Sequence, residues 1–309
     1  MKFVTFEVDG RRQAGIYKDG RIIGLYEASN GVIPEDLMRI IVDYPRYQPL
    51  IEQCQNGDYT LENVRLYAPL PHPTSIRDFY AFEEHVVTAR GKRGLDVVPE
   101  WYEIPVFYFS NHLAVRGPND LILRPQTCKK LDYELEIACV IGKEGRNIKA
   151  SQAKDYIFGF MIMNDWSARD LQAQEMKVGL GPAKGKDFAT SFGPFLVTTD
   201  EFSFEQGKLD LQMEAFVNGE RYSLGNAKEM YYSFGELIEQ ASRDVTLYPG
   251  EVIGSGTVGS GCILEQSERE FLKPGDRVVL SIAHLGTLSN VVGEEAAHGL
   301  LSENGRDPL

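Results

Sequence analysis

The sequence predicts an α+β protein rich in β-structure, and two observations carry that prediction. Strand-like runs outnumber helical ones, and short hairpin turns outnumber long crossovers, which disfavours a doubly wound sheet. The runs "KFVTFEV" and "QAGIYKDGRIIGLYEA" alternate around Asp9-Gly10 and Asp19-Gly20. That dipeptide suits a two-residue hairpin turn, in which both central residues need positive φ. "PEDLMRIIVDYPRYQPLIEQCQNG" then keeps helical spacing up to a glycine. Pro69, Pro71 and Pro73 in "LYAPLPHPTSIRD" break the pattern and place a boundary near residue 68. Residues 1–67 are therefore expected to form a small β-rich unit and residues 68–309 a larger one.

Past the boundary, "PVFYFSN" and "LDYELEIACVIG" read as strands, and Ser151 opens a short helix. "YIFGFMIMND" is a fully buried strand, with helical turns in "WSARDLQAQE" behind it. "LQMEAFVNGERYSLG" is a hairpin on Asn218-Gly219, and Ser233 with Glu236 forms a capping box before "LIEQASRDV". "KPGDRVVLSIAHLGTLSNVV" is a turn followed by a long strand. No internal repeat or low-complexity segment appears.

A formal net charge of -13 over 309 residues argues against nucleic acid or an anionic membrane surface as partner. The chain opens on no apolar signal segment and holds no run of about 18 apolar residues, so a cytoplasmic location is expected. Cys54, Cys128, Cys139 and Cys262 show no C-x-x-C spacing and are expected to be buried free thiols.

The stretch "DYELEIACVIG" raises the chemical question. Period two puts Tyr133, Leu135, Ile137, Cys139 and Ile141 on one face, and Glu134 and Glu136 on the other with Ala138 and Val140. Buried carboxylates need a compensating cation, and otherwise that face meets water. Asp78 and Asp165 supply further carboxylates, and hard cations bind several such oxygens. Asp165 equally suits the N-cap of the helix that follows it. Spacing of four and seven residues puts Arg169 and Gln172 on one helical face with Asp165, where both could donate to an oxyanion or Arg169 could make a surface pair. His85, two helical turns past Asp78, is either a general base or a structural histidine. Glu265 interrupts an apolar run with the same ambiguity. "GLGPAKGKDFATSFGP" carries Lys184 and Lys186 without phosphate-loop spacing. "GSGTVGSG" contains G-x-G-x-x-G but no following helix, and reads as a tight loop near a ligand. His72, His112, His284 and His298 form no H-x-x-x-H, so no zinc site is expected.

Taken in order, "RDFYAFEEH", "DYELEIACVIG", "MNDWSARDLQ", "GPAKGKDF", "GSGT" and "GCILE" closely resemble the fumarylacetoacetate hydrolase family over about residues 68 to 293. The resemblance implies that family's catalytic fold of mixed β-sheets with few helices. It implies that Asp78, Glu134, Glu136 and Asp165 bind one divalent metal, Mg²⁺ first, with Mn²⁺ or Ca²⁺ as alternatives. It implies that His85 paired with Glu265 activates water, and that Arg169, Gln172 and Lys186 stabilise an oxyanion or hold a substrate carboxylate. Tyr80 and Thr257 match substrate-contact positions, and Arg90, Arg93 and Tyr108 fall where the family recognises the substrate's far end. The implied activity is metal-dependent hydrolysis of the carbon–carbon bond of a β-diketo acid, such as fumarylacetoacetate or an acylpyruvate of aromatic catabolism. Oxaloacetate decarboxylation and dienedioate isomerisation on the same platform stay open, as does a non-catalytic binding protein. A homodimer is the expected assembly.

Overall fold

The computed structural model describes residues 1–294 apart from 56, 58, 93, 205 and 206. Arg93 and His298 therefore lie outside the described residues. The hairpin turns form as their dipeptides dictate. Asp9 and Gly10 (φ 52° and 75°), Asp19 and Gly20 (51° and 80°) and Asn218 and Gly219 (52° and 85°) all occupy the left-handed region. Ser233 and Glu236 make the expected capping box ahead of helix Phe234–Ser242. Strand outweighs helix, 36% against 24%, as the β-rich α+β expectation requires.

Among the described residues two large sheets carry the fold, one of eleven strands and one of five. Nine strands of the larger run in the order Arg21–Gly24, Arg11–Lys18, Lys2–Val8, Thr190–Thr198, Ile157–Asp165, Leu135–Ile141, Glu251–Gly254, Ser75–Phe79, Phe107–Ser110, with Arg65–Tyr67 and Val115–Arg116 pairing Lys2–Val8 and Thr190–Thr198 off this path. Lys2 and Phe3 pair with Val197 and Leu196, so this sheet continues across residue 68. The smaller sheet contains the Asn218-Gly219 hairpin and strands Arg277–Ile282 and Gly286–Glu294.

Leu135–Ile141 is buried on both faces. Its Leu135, Ile137, Cys139 and Ile141 enter one apolar core with Tyr133, while Ala138 and Val140 enter a second with Ile76, Met161, Met163 and Val252. Each such large side chain contributes about 1.5–3 kcal/mol on burial, which fixes the register of the strand.

Five local expectations differ. Ser151 lies within a 3₁₀ turn, Ala150–Tyr156, that starts after Lys149 without a side-chain cap. The carboxy-terminal strand is two strands, because His284 (φ 67°) and Gly286 (φ 92°) turn the chain between them. The early helical stretch divides at Asp43 into Leu37–Val42 and Tyr44–Ile51, with Pro45 in the first turn of the second. Asp165 ends its strand as expected but does not join the helix Arg169–Glu175, so only Arg169 and Gln172 share a helical face. Likewise Asp78 is on a strand and His85 on the helix Glu83–Gly91. The four cysteines are buried and free. No helix among the described residues is long and apolar enough to cross a membrane.

Candidate active site

Alternation along three strands of the larger sheet builds the site. The stripe Val140, Ala138 leads to Glu136 and Glu134; Met161, Met163 leads to Asp165; Ile76 leads to Asp78. All four acids thus emerge at one end of one sheet face, from strands held in register by Glu136↔Met163, Ala138↔Gly254 and Gly254↔Asp78. Between them stands Gly254, where a Cβ would lie 2.7 Å from Asp78 Oδ1. A larger residue there would fill the space the carboxylates share.

Asp78, Glu134, Glu136 and Asp165 each bring an oxygen within 4.8 Å of the others, and all four are buried. Asp78 Oδ1, Glu136 Oε1 and Asp165 Oδ1 accept no hydrogen bond. Burial and then the Asp165 charge push the Asp78 carboxyl well above the usual range, and burial and then Asp78 do the same to Glu136. Burial raises Asp165 too, against the pull of Lys186. Burial also acts on Glu134, but Lys186 and Arg169 outweigh it and hold that carboxyl at about 2. Orphaned oxygens, a Cβ-free cradle and an all-oxygen donor set fit a hard divalent cation.

Lys186 is buried and donates to Glu134 and, at 2.6 Å, to Asp165. Its loop is tied down by Glu175, whose carboxylate accepts from the backbone of Ala183 (3.1 Å), Lys184 (2.9 Å) and Gly185 (2.7 Å). Arg169 pairs with Glu134 at 2.8 Å, donates from Nε to Asp132 at 2.8 Å, and reaches Gln172 Oε1 at 3.1 Å. Tyr108 donates its hydroxyl to Asp165.

His85 and Glu265 come together from a helix and a 3₁₀ turn, Nδ1 and Oε1 standing 3.2 Å apart with side chains only 5% and 2% exposed. Neither atom makes a hydrogen bond, so their contact is one of position. Tyr80 sets its ring edge-on to the imidazole, centroids 5.3 Å apart, and Thr257 is buried in the loop after Glu251–Gly254. In the same loop Gly256 donates to Glu136 at 3.1 Å, a close backbone approach where its φ of 79° favours glycine. Arg90 is not brought in; its Nε donates to the Asp96 carbonyl. A cleft of about 390 Å³ lined by Arg12, Glu35, Asp36 and His72 is a separate feature that shares no residue with these groups.

Sequence reasoning missed two residues. Asp132, fully buried, accepts from Arg169 and from the backbone of Ile263 (2.8 Å) and Leu264 (3.0 Å), so it joins the Glu265 segment to the carboxylate cluster. Its signal was present, since it precedes Glu134 by two in "DYELE". Glu175 had none, because the backbone N–H groups that donate to it lie on a loop outside its helix.

Fold and site together define a β-rich protein with a carboxylate centre suited to a divalent cation and a His–Glu pair beside it. The chain belongs to the fumarylacetoacetate hydrolase family: residues 74–293 match the family described as Fumarylacetoacetate (FAA) hydrolase C-terminal. It is 32% identical over 316 residues to an oxaloacetate tautomerase of Bacillus subtilis, covering 95% of this chain and 100% of that one. It is 30% identical over 302 residues to a 2,4-didehydro-3-deoxy-L-rhamnonate hydrolase of a Sphingomonas species, covering 95% and 96%. A fumarylacetoacetate hydrolase structure from Exiguobacterium antarcticum matches with a TM-score of 0.75 at 28% identity, covering 96% of this chain and 100% of that one.

Proposed function

We propose that the protein is a hydrolase of the carbon–carbon bond of a β-diketo acid of the fumarylacetoacetate or acylpyruvate class. The supporting observation is the buried His85–Glu265 pair, 3.2 Å apart, beside the carboxylate centre. Hydrolysis needs an activated water, whereas decarboxylation and tautomerisation do not. With Nδ1 facing Glu265, His85 has Nε2 left to take a proton from water, and Glu265 stabilises the imidazolium that results. The hydroxide adds to the distal carbonyl, where Arg169, Gln172 and Lys186 supply donors for the oxyanion or for the substrate carboxylate. The carbon–carbon bond then breaks, its electron pair passing to the departing oxo acid fragment, whose carbon takes the proton back from His85. A divalent ion held by Asp78, Glu134, Glu136 and Asp165, Mg²⁺ by preference, would supply Lewis-acid polarisation of the dicarbonyl. Tyr80, Tyr108 and Thr257 are assigned to substrate contact. Residues 1–67 are given no chemistry, and the working assembly is a cytoplasmic homodimer.

A second reading, oxaloacetate tautomerase, is favoured by the 32% identity along 95% of the chain to the B. subtilis protein of that name. One experiment separates the two. Fumarylacetoacetate, an acylpyruvate and oxaloacetate are offered with Mg²⁺ and Mn²⁺, to the native protein and to His85→Ala. The hydrolase reading expects loss of diketone absorbance, slowed about 10²- to 10⁴-fold in the variant with Mg²⁺ affinity retained. Enol–keto exchange of oxaloacetate with no bond cleavage would replace it by the second reading.

A further inference from the structure

We propose that His85, Cys262 and Glu265 form a second metal site, selective for a soft divalent ion such as Zn²⁺, and that filling it switches the dyad off. The three donors come from helix Glu83–Gly91 and from the C-x-x-E spacing around the turn Ile263–Glu265, and all lie within 4.8 Å of one another. His85 Nδ1 is 3.2 Å from Glu265 Oε1, and Cys262 Sγ is 3.5 Å from Glu265 Oε2. Tetrahedral zinc, with its usual bond lengths, places N and O about 3.3 Å apart and S and O about 3.6 Å apart. Each separation is near the zinc value, and because they run to different oxygens of Glu265, binding one ion requires that carboxylate to present a single oxygen to both partners.

A second observation points to a ligand. His85 Nδ1 and Glu265 Oε1 are both buried and lack a hydrogen-bond partner, although they face each other. Two such atoms held at ligand separation are satisfied by one cation between them. Cys262 decides which cation, since thiolate favours Zn²⁺ over Mg²⁺, whereas the neighbouring centre offers only oxygen. The two sites therefore sort cations by softness.

The chemical consequence follows from the imidazole. A metal on Nδ1 takes that lone pair and fixes the ring proton on Nε2, which can then accept none from water. Cys262 gives up its thiol proton to solvent on binding, so one proton is released per ion. The binding itself stands apart from the function proposed above; only the inhibition rests on it.

The test uses the full chain saturated with Mg²⁺ and titrated with Co²⁺, a spectroscopic stand-in for Zn²⁺. The expected result is a thiolate-to-cobalt charge-transfer band that saturates at one equivalent and is erased by Zn²⁺. Cys262→Ser and, from the other element, His85→Gln should each abolish it, while Cys139→Ser should keep it. No band, or a band that survives Cys262→Ser, overturns the site. One equivalent of Zn²⁺ should lower turnover about 100-fold, the lower end of what a general base supplies. Cys262→Ser should keep native turnover and lose the sensitivity. Full turnover with the band present overturns the switch. The band requires no substrate, so a failed hydrolase reading leaves the site's own test standing.

Discussion

Strands Ser75–Phe79 and Glu251–Gly254 lie side by side and carry two buried charged groups of opposite design. On one face, Arg77 pairs with Glu251, both nearly inaccessible. Glu251 also accepts from Ser75 (3.0 Å) and from the Tyr248 backbone (3.0 Å), and the guanidinium lies over Phe109. One residue along, on the other face, Asp78 joins three more carboxylates and leaves Oδ1 without a partner. In the first group both carboxylate oxygens are satisfied by the protein, only Arg77 Nε lacking a partner, and the pair holds strands together. The second has too few cations for its acids, Lys186 and Arg169 notwithstanding, and so is built for a charge that comes from outside. Burial alone does not distinguish a structural ion pair from a binding site; the orphaned oxygens do.

The sharpest way to break this contrast is Glu136→Gln. Activity and Mg²⁺ binding should both be lost, while the metal-free protein melts higher, by about 2–4 °C for each kcal/mol of repulsion relieved. Calorimetry with and without Mg²⁺ reads both, and native Mg²⁺ affinity in the variant would show that the acids do not act as one centre. Glu251→Ala should do the reverse. Stranding Arg77 destabilises the fold by about 3–5 kcal/mol in urea unfolding, with Mg²⁺ affinity unchanged. Equal stability to the native protein would remove the distinction between the two groups. Gly20→Ala is the smallest perturbation and touches neither. Its φ of 80° lies in open space, so only left-handed strain is added, about 1–2 kcal/mol. Any change in Mg²⁺ affinity there would mean that the amino-terminal strands reach the centre.

The residues that sequence reading placed correctly share a physical trait. Asp19-Gly20, Asn218-Gly219 and the Ser233–Glu236 cap depend on φ preferences and on bonds spanning three residues. The alternation that sets Glu134 and Glu136 against Leu135 and Ile137 is equally local. Asp165 was read correctly as the end of its strand, but the period that also set it on one helical face with Arg169 and Gln172 could not say that the helix begins only at Arg169. Asp132 was overlooked because its partners, Arg169 and the backbone at 263–264, are remote in the chain.

By itself, then, the sequence determined the β-rich class, the turns, the faces of each strand and the motif order that marks the family. Those follow from short-range sterics and from a side-chain period of two. Only the tertiary structure decided which acids converge, that Lys186 sits between Glu134 and Asp165, and that Cys262 stands with His85 and Glu265. These depend on the order of strands in the sheet and on the loops docked at its end. They are set by the packing of distant segments, a property that no local period encodes.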